Sequence, residues 1–228
     1  MSESMASEIR KARDRSLLHK RIRGDENPVI KELHVRFASS LSGLDGFAEL
    51  EVLILSGCDF PSLSEIPTLR RLVSLTVSDS SLRDVDGIER FPELLVLDIQ
   101  RNHVVDLDSL TESGIRNLAV DGNPLSRHSY EQVLPQLEER GCRVSRSGDR
   151  EWRVSARMHE VGAPFVCYER GGSYFLCSPG LSVTEQPARD HPKVDPDELE
   201  GILDMDPGEL MSLFRSRGGV WPPPPCDI

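Results

Sequence analysis

The sequence predicts an α/β fold. The expected architecture is a solenoid of about five stacked coils with a parallel concave sheet, an N-terminal helical cap and a small C-terminal α+β extension. Three observations carry this. An apolar pattern repeats along residues 30–147 at a nearly fixed step. Its internal spacing fits neither the 3.6-residue period of a helix nor the alternation of a strand. After Gly148 the pattern stops, and hairpin and helix signals of a different kind take over.

The repeat is clearest in "LLVLDIQRNHVVDL" (94–107), which matches "LEVLILSGCDF" from residue 50, "LVSLTVSDSSL" from 72 and "IRNLAVDGNPL" from 115. The strand leucines Leu53, Leu75, Leu97 and Leu118 stand 22, 22 and 21 residues apart, and a degenerate copy starts at Leu33. The pattern, L-x-x-L-x-L-x-x-N/C-x-L with two further apolar positions, resembles the leucine-rich repeat. The 22-residue length is similar to the class found in protein-phosphatase regulators. The spacing has a physical reading. Leu97 and Ile99 form a short strand with both side chains inward. The later apolar positions return along the convex side, and each coil hides its apolar interior only by stacking on its neighbours. The asparagine of the pattern sits where the chain leaves the strand, and the resemblance implies that its amide bonds free backbone groups. Cys58, Ser80, Asn102 and Asn123 hold that position here. Asn102 is expected to be buried and its neighbour His103 to face solvent. Cys58 is expected to be structural.

Both ends of such an array need covers. Residues 1–29 supply the first: "SEIRKARDRSLLHKRIRG" (7–24) reads as a basic helix with Ile9, Leu17, Leu18 and Ile22 as its apolar positions. Residues 30–147 hold the repeats and a closing segment. There Ser129 with Gln132 suggests a capping box, Val133, Leu134 and Leu137 cover the last coil, and Pro135 kinks or breaks the helix.

Residues 148–228 form the extension. Phe165–Tyr168 and Tyr174–Cys177 read as a hairpin about the Gly171-Gly172 turn, with 151–158 as a third strand. "DPDELEGIL" and "DPGELMSLF" each place Asp at an N-cap and Pro at the first helical position. The tail "GGVWPPPPCDI" reads as extended polyproline. Cys167 and Cys177 lie on opposed strands, where they either pair or stay as reduced core thiols.

The bulk properties narrow the function classes. The chain has 228 residues and a formal net charge of −11, with only 5% aromatic residues, so the core must be built mainly from Leu, Val and Ile. An acidic balance excludes a general nucleic-acid binder. Residues 1–24 are the exception at +4, a surface that would suit an acidic partner or anionic lipid, although the apolar stripe is too thin for membrane binding. No run of 18 apolar residues spans a membrane, and "MSESMASEIRKARDR" lacks the apolar core of a signal peptide. With five scattered cysteines, the expectation is a cytoplasmic, reduced, monomeric protein.

No catalytic, cofactor-binding or metal-binding constellation is expected. Phosphate-binding, nucleophile-elbow and zincin motifs do not occur in the sequence, and its six histidines lack Cys or His at ligand spacing. The expectation is therefore a non-enzymatic adaptor or regulatory subunit that binds another protein on the concave face. The partner-binding residues are those that alternate with the inward leucines. They are His34 and Arg36; Val52, Ile54 and Ser56; Ser74, Thr76 and Ser78; Val96, Asp98 and Gln100; and Asn117 and Asp121. Glu32 and Ala119 flank the same strands. Val52, Ile54 and Val96 would form an apolar patch with a polar rim. The alternative is a small enzyme or toxin-like effector in 148–228 that the repeats target.

Overall fold

A computed structural model describes residues 5–23, 26, 28–181 and 191–217. It is an α/β structure with a six-stranded parallel sheet and flanking helices. The sheet contains β1 (Glu32–Arg36), β2 (Val52–Ser56), β3 (Ser74–Ser78), β4 (Val96–Asp98), β5 (Asn117–Ala119) and β6 (Arg143–Ser145), in sequence order. The pairing register aligns Leu33, Leu53, Leu75, Leu97, Leu118 and Val144 across all six strands. The step between matched leucines is thus the step between neighbouring strands. The sixth strand, at Val144, lies in the segment that the sequence assigned only to closure.

Each strand exit turns through a left-handed residue. Phe37, Gly57, Asp79, Arg101 and Gly122 all have φ between 52° and 68°. Short 3-10 turns at Leu44–Gly46, Leu63–Glu65, Ile88–Arg90 and Asp108–Leu110 carry the chain back. Between them runs one core, mainly of leucine, isoleucine and valine, from Ile9 to Trp152. The positions that follow the left-handed residues form a buried hydrogen-bond ladder. Cys58 N–H donates to Ser80 Oγ (2.9 Å), and Ser80 N–H donates to Asn102 Oδ1 (3.1 Å). Asn102 Nδ2 donates to the carbonyls of Val77, Ile99 and Gln100, and Val104 N–H donates to Asn123 Oδ1. Asn102 is fully buried, as its place in the pattern requires. The Cys58 thiol, also buried, is pushed up to about 11 by desolvation and is inert.

The helices differ from expectation in instructive ways. α1 (Ser7–Ile22) buries Ile9 and Ala12, whereas Leu18 and Ile22 are exposed at 61% and 75%. The small Ala12 side chain lets the helix lie close to β1, and Leu18 and Ile22 end on the outer side. At the closing segment the cap is Ser126, whose Oγ accepts the Ser129 N–H (3.1 Å). Ser129 Oγ instead accepts the Leu107 N–H, so the Ser129–Gln132 box does not form. Residues Ser129–Val133 adopt a widened π turn ahead of α2 (Leu134–Glu139). That turn frees the carbonyl Pro135 would strike in a regular helix, so the chain stays helical through the proline.

Residues 151–158 are helix, not strand. α3 (Asp149–Glu160) starts where Glu151 Oε1 accepts the Gly148 N–H (2.5 Å). It buries Trp152, Val154, Ser155 and Met158, a helical spacing. Trp152 belongs to the first core, while Val154 and Met158 open a second core that runs to Phe214. The two cores therefore meet along α3. The hairpin forms as expected: β7 (Val166–Arg170) and β8 (Ser173–Cys177) pair antiparallel across Gly171-Gly172, both left-handed. Its third strand is β9 (Lys193–Val194). α4 (Pro196–Met205) is capped by Asp195, which accepts the Asp197 N–H. α5 (Glu209–Ser216) begins two residues later than its motif suggested, because Asp206 caps the preceding turn through Gly208 N–H. The proline tail lies outside the described residues. No described helix is long and apolar enough to cross a membrane.

Candidate functional site

The register converts the list of outward residues into rows. One row is Glu32, Val52, Ser74, Val96, Asn117 and Arg143; the next is His34, Ile54, Thr76, Asp98, Ala119 and Ser145. A third, shorter row holds Arg36, Ser56 and Ser78. Gln100 and Asp121 follow just beyond the ends of β4 and β5. Neighbouring strands stand about 4.8 Å apart, so Val52 and Val96, with Ser74 between them, lie about 10 Å apart. None of the thirteen predicted residues is buried: Arg36 and Asn117 are exposed and the rest half-buried. The extension leaves them accessible.

The face has two chemically distinct ends. At β1–β3 it is a hydroxyl-rich strip. Arg36 Nε donates to His34 Nε2 (3.2 Å), His34 Nε2 lies 3.4 Å from Ser56 Oγ, and Ser78 Oγ donates to Ser56 Oγ. Burial first, and Arg36 second, lower the His34 pKa, which suits a neutral ring that accepts from Arg36. At β4–β6 a shallow groove of about 330 Å³ is lined by Val96, Asp98, Asn117, Ala119, Arg143 and Ser145, among others. Burial raises the Asp98 carboxyl, against the hydrogen bond it accepts from Gln100 N–H. Asp121 accepts from Ser145 Oγ (2.6 Å). Val52 and Ile54 on β2 and Thr76 on β3 lie beside the hydroxyl-rich strip.

A second cluster escaped the sequence reading. Asp79 and Arg101, from the exits of β3 and β4, form a bidentate pair: Nε to Oδ1 at 2.5 Å and Nη2 to Oδ2 at 3.0 Å. The hairpin closes over them. Cys177 Sγ lies 3.7 Å from Asp79 Oδ1, His191 Nε2 lies 4.0 Å from it, and Tyr168 stacks under the Arg101 guanidinium at 5.3 Å. Tyr168 Oη is 2.7 Å from His191 Nδ1. Gly180 N–H donates to the Asp79 carbonyl (2.9 Å). The signal that pointed here was the repeat position itself. Glycine holds it at 57 and 122, while Asp79 and Arg101 accept left-handed backbone there, which is worth a look in a non-glycine residue.

The same docking corrects one expectation and decides between two readings of another pair of residues. His103 does not face solvent: it is half-buried and hydrogen-bonds the Pro179 backbone, and burial, with Arg83, holds its pKa at about 4. Cys167 and Cys177 do not pair. The register sets Val166 opposite Cys177 and Cys167 opposite Leu176, so the two thiols face opposite sides of the hairpin. Cys167 enters the second core and Cys177 meets Asp79. Burial holds the Cys177 thiol well above its ordinary value, which makes it a poor nucleophile.

Compared with known proteins, the chain matches no family model and has no significant match to a curated protein.

Proposed function

We propose that the chain is a leucine-rich-repeat solenoid and acts as a non-catalytic protein-binding module, an adaptor or regulatory subunit, that takes its partner on the concave face of the six-stranded sheet. The observation that carries this reading is the alignment of partly exposed side chains in rows across neighbouring strands. Such a face offers a fixed array of side chains and needs no rearrangement to bind. Its composition suits a protein partner. Val52, Ile54 and Val96 supply an apolar centre, and the serines, Asp98, Asn117 and Arg143 supply a polar rim. The leucine register and the Cys58–Ser80–Asn102–Asn123 ladder support the repeat assignment. Four described cysteines, all buried and unpaired, suit a reducing cytoplasm.

Affinity purification of the intact chain beside Ile54→Asp/Val96→Asp tests the reading. Both sites are half-buried on the outward face, so the double variant is expected to fold and to lose the partner. A folded double variant that keeps every partner of the intact chain would remove the face from consideration.

A further inference from the structure

We propose that Asp79, Cys177 and His191 bind one divalent ion of the zinc class, which fastens the C-terminal extension to the sheet. Their ligand atoms all lie within 4.8 Å of one another. Asp79 Oδ1 is 3.7 Å from Cys177 Sγ and 4.0 Å from His191 Nε2. Tetrahedral zinc, with bonds of about 2.0–2.3 Å, holds such atoms about 3.3–3.8 Å apart, so sub-ångström to ångström side-chain shifts close the site. One sulfur, one nitrogen and one oxygen select zinc or cobalt over magnesium and calcium, which take oxygen ligands.

Two of the three ligands are also held from behind, as metal ligands commonly are. His191 Nδ1 meets Tyr168 Oη at 2.7 Å, which turns Nε2 toward Asp79. Arg101 Nη2 holds Asp79 Oδ2 at 3.0 Å, while Oδ1, the oxygen nearest Cys177 and His191, now accepts from Arg101 Nε. Cys177 sits at the end of β8, fully buried. An ion on Oδ1 displaces Arg101 Nε, and the guanidinium keeps Oδ2 and the Tyr168 ring beneath it. The thiol proton leaves to solvent, one per ion, so the ion meets two negative ligands, the thiolate and the Asp79 carboxylate that Arg101 also holds. The ion thereby joins residues 98 positions apart in sequence, one on the sheet and two on the extension.

Cobalt(II) reports both geometry and thiolate ligation. The full chain, stripped with a chelator and titrated with Co²⁺ alone, is expected to bind one equivalent with tetrahedral d–d absorption and a thiolate charge-transfer band. Cys177→Ser should abolish that band, Cys167→Ser should keep it, and His191→Gln should weaken binding at least tenfold. On the unaltered chain, added Zn²⁺ should raise the thermal midpoint and Mg²⁺ should not. That measurement decides the matter even if Cys177→Ser fails to fold. Absence of cobalt binding and of zinc stabilisation in the folded chain would overturn the site and leave the Asp79–Arg101 pair as a latch complete in itself. A charge-transfer band that survives Cys177→Ser would overturn it equally.

Discussion

Replacement of Asn102 by leucine removes a fully buried amide while keeping the branched heavy-atom shape of the side chain. Its amide makes four hydrogen bonds, one as acceptor from Ser80 N–H and three as donor to Val77, Ile99 and Gln100 carbonyls. Two of those partners keep another bond: the Ile99 carbonyl also accepts from Asn123 Nδ2, and the Gln100 carbonyl from Asp79 N–H. The loss falls on Ser80 N–H and the Val77 carbonyl. Val77 lies past the last β3–β4 pair, Thr76 with Asp98, so the sheet does not replace its partner. A buried backbone group left unpaired costs about 1–3 kcal/mol, which makes about 2–6 kcal/mol for two. In a chain of this size each kcal/mol lowers the thermal midpoint by about 2–4 °C. The expected drop is therefore about 4–24 °C by calorimetry, toward the lower end where water rescues one of the groups. Arg70→Ala, at an exposed turn, serves as the control and should shift stability by no more than about 0.5 kcal/mol. Equal midpoints for the two variants would refute the ladder, and with it the assignment of outward residues.

Three further outcomes follow from particular contacts. The His103 pKa is about 4 in the folded chain against 6.5 for the free group, so its contribution is whole above pH 6.5 and is lost as pH falls toward 4. At most it amounts to about 3 kcal/mol, and urea midpoints of His103→Gln should fall less steeply from pH 7 to 4.5 than those of the unaltered chain. Trp152 donates its indole N–H to the Leu125 carbonyl (2.7 Å) and stacks on Tyr130 at 3.9 Å. Trp152→Ala should cost about 3–5 kcal/mol in urea denaturation. Gly87 has φ 94°, and a Cβ there would stand 2.7 Å from Ser64 Cα. Gly87→Ala should therefore lower the midpoint through both backbone strain and collision, whereas Gly114→Ala, in open space, should be tolerated.

The parts of the fold that were legible in the sequence are those fixed by short-range spacing. Leu53, Leu75, Leu97 and Leu118 stand in register because the chain returns to the same place every 21 or 22 residues, and their step survives as strand pairing. The outward rows follow from simple alternation on those strands. The hairpin was legible because Gly171-Gly172 supplies the left-handed turn. What the sequence concealed depends on contacts across long separations. Residues 151–158 carry Val154 amid charged residues and pass for a strand until the Glu151 cap and the Trp152 docking are seen. His103 reads as exposed within its repeat because Pro179, which covers it, lies 76 positions away. The same holds for Asp79 and Arg101, whose roles appear only with Tyr168, Cys177 and His191 in place. On α1 the pattern of bulky residues misled, since close approach to β1 favours Ala12 over Leu18.

The central claim is that the outward face of the sheet is the binding surface, and site-specific photo-crosslinking tests it most directly. A photoreactive amino acid at Thr76, in the middle of the face, should capture a protein partner in the cells that make this chain. The same group at Arg70, on an exposed turn away from the strands, should capture none. Capture from position 70 without capture from position 76 would contradict the account.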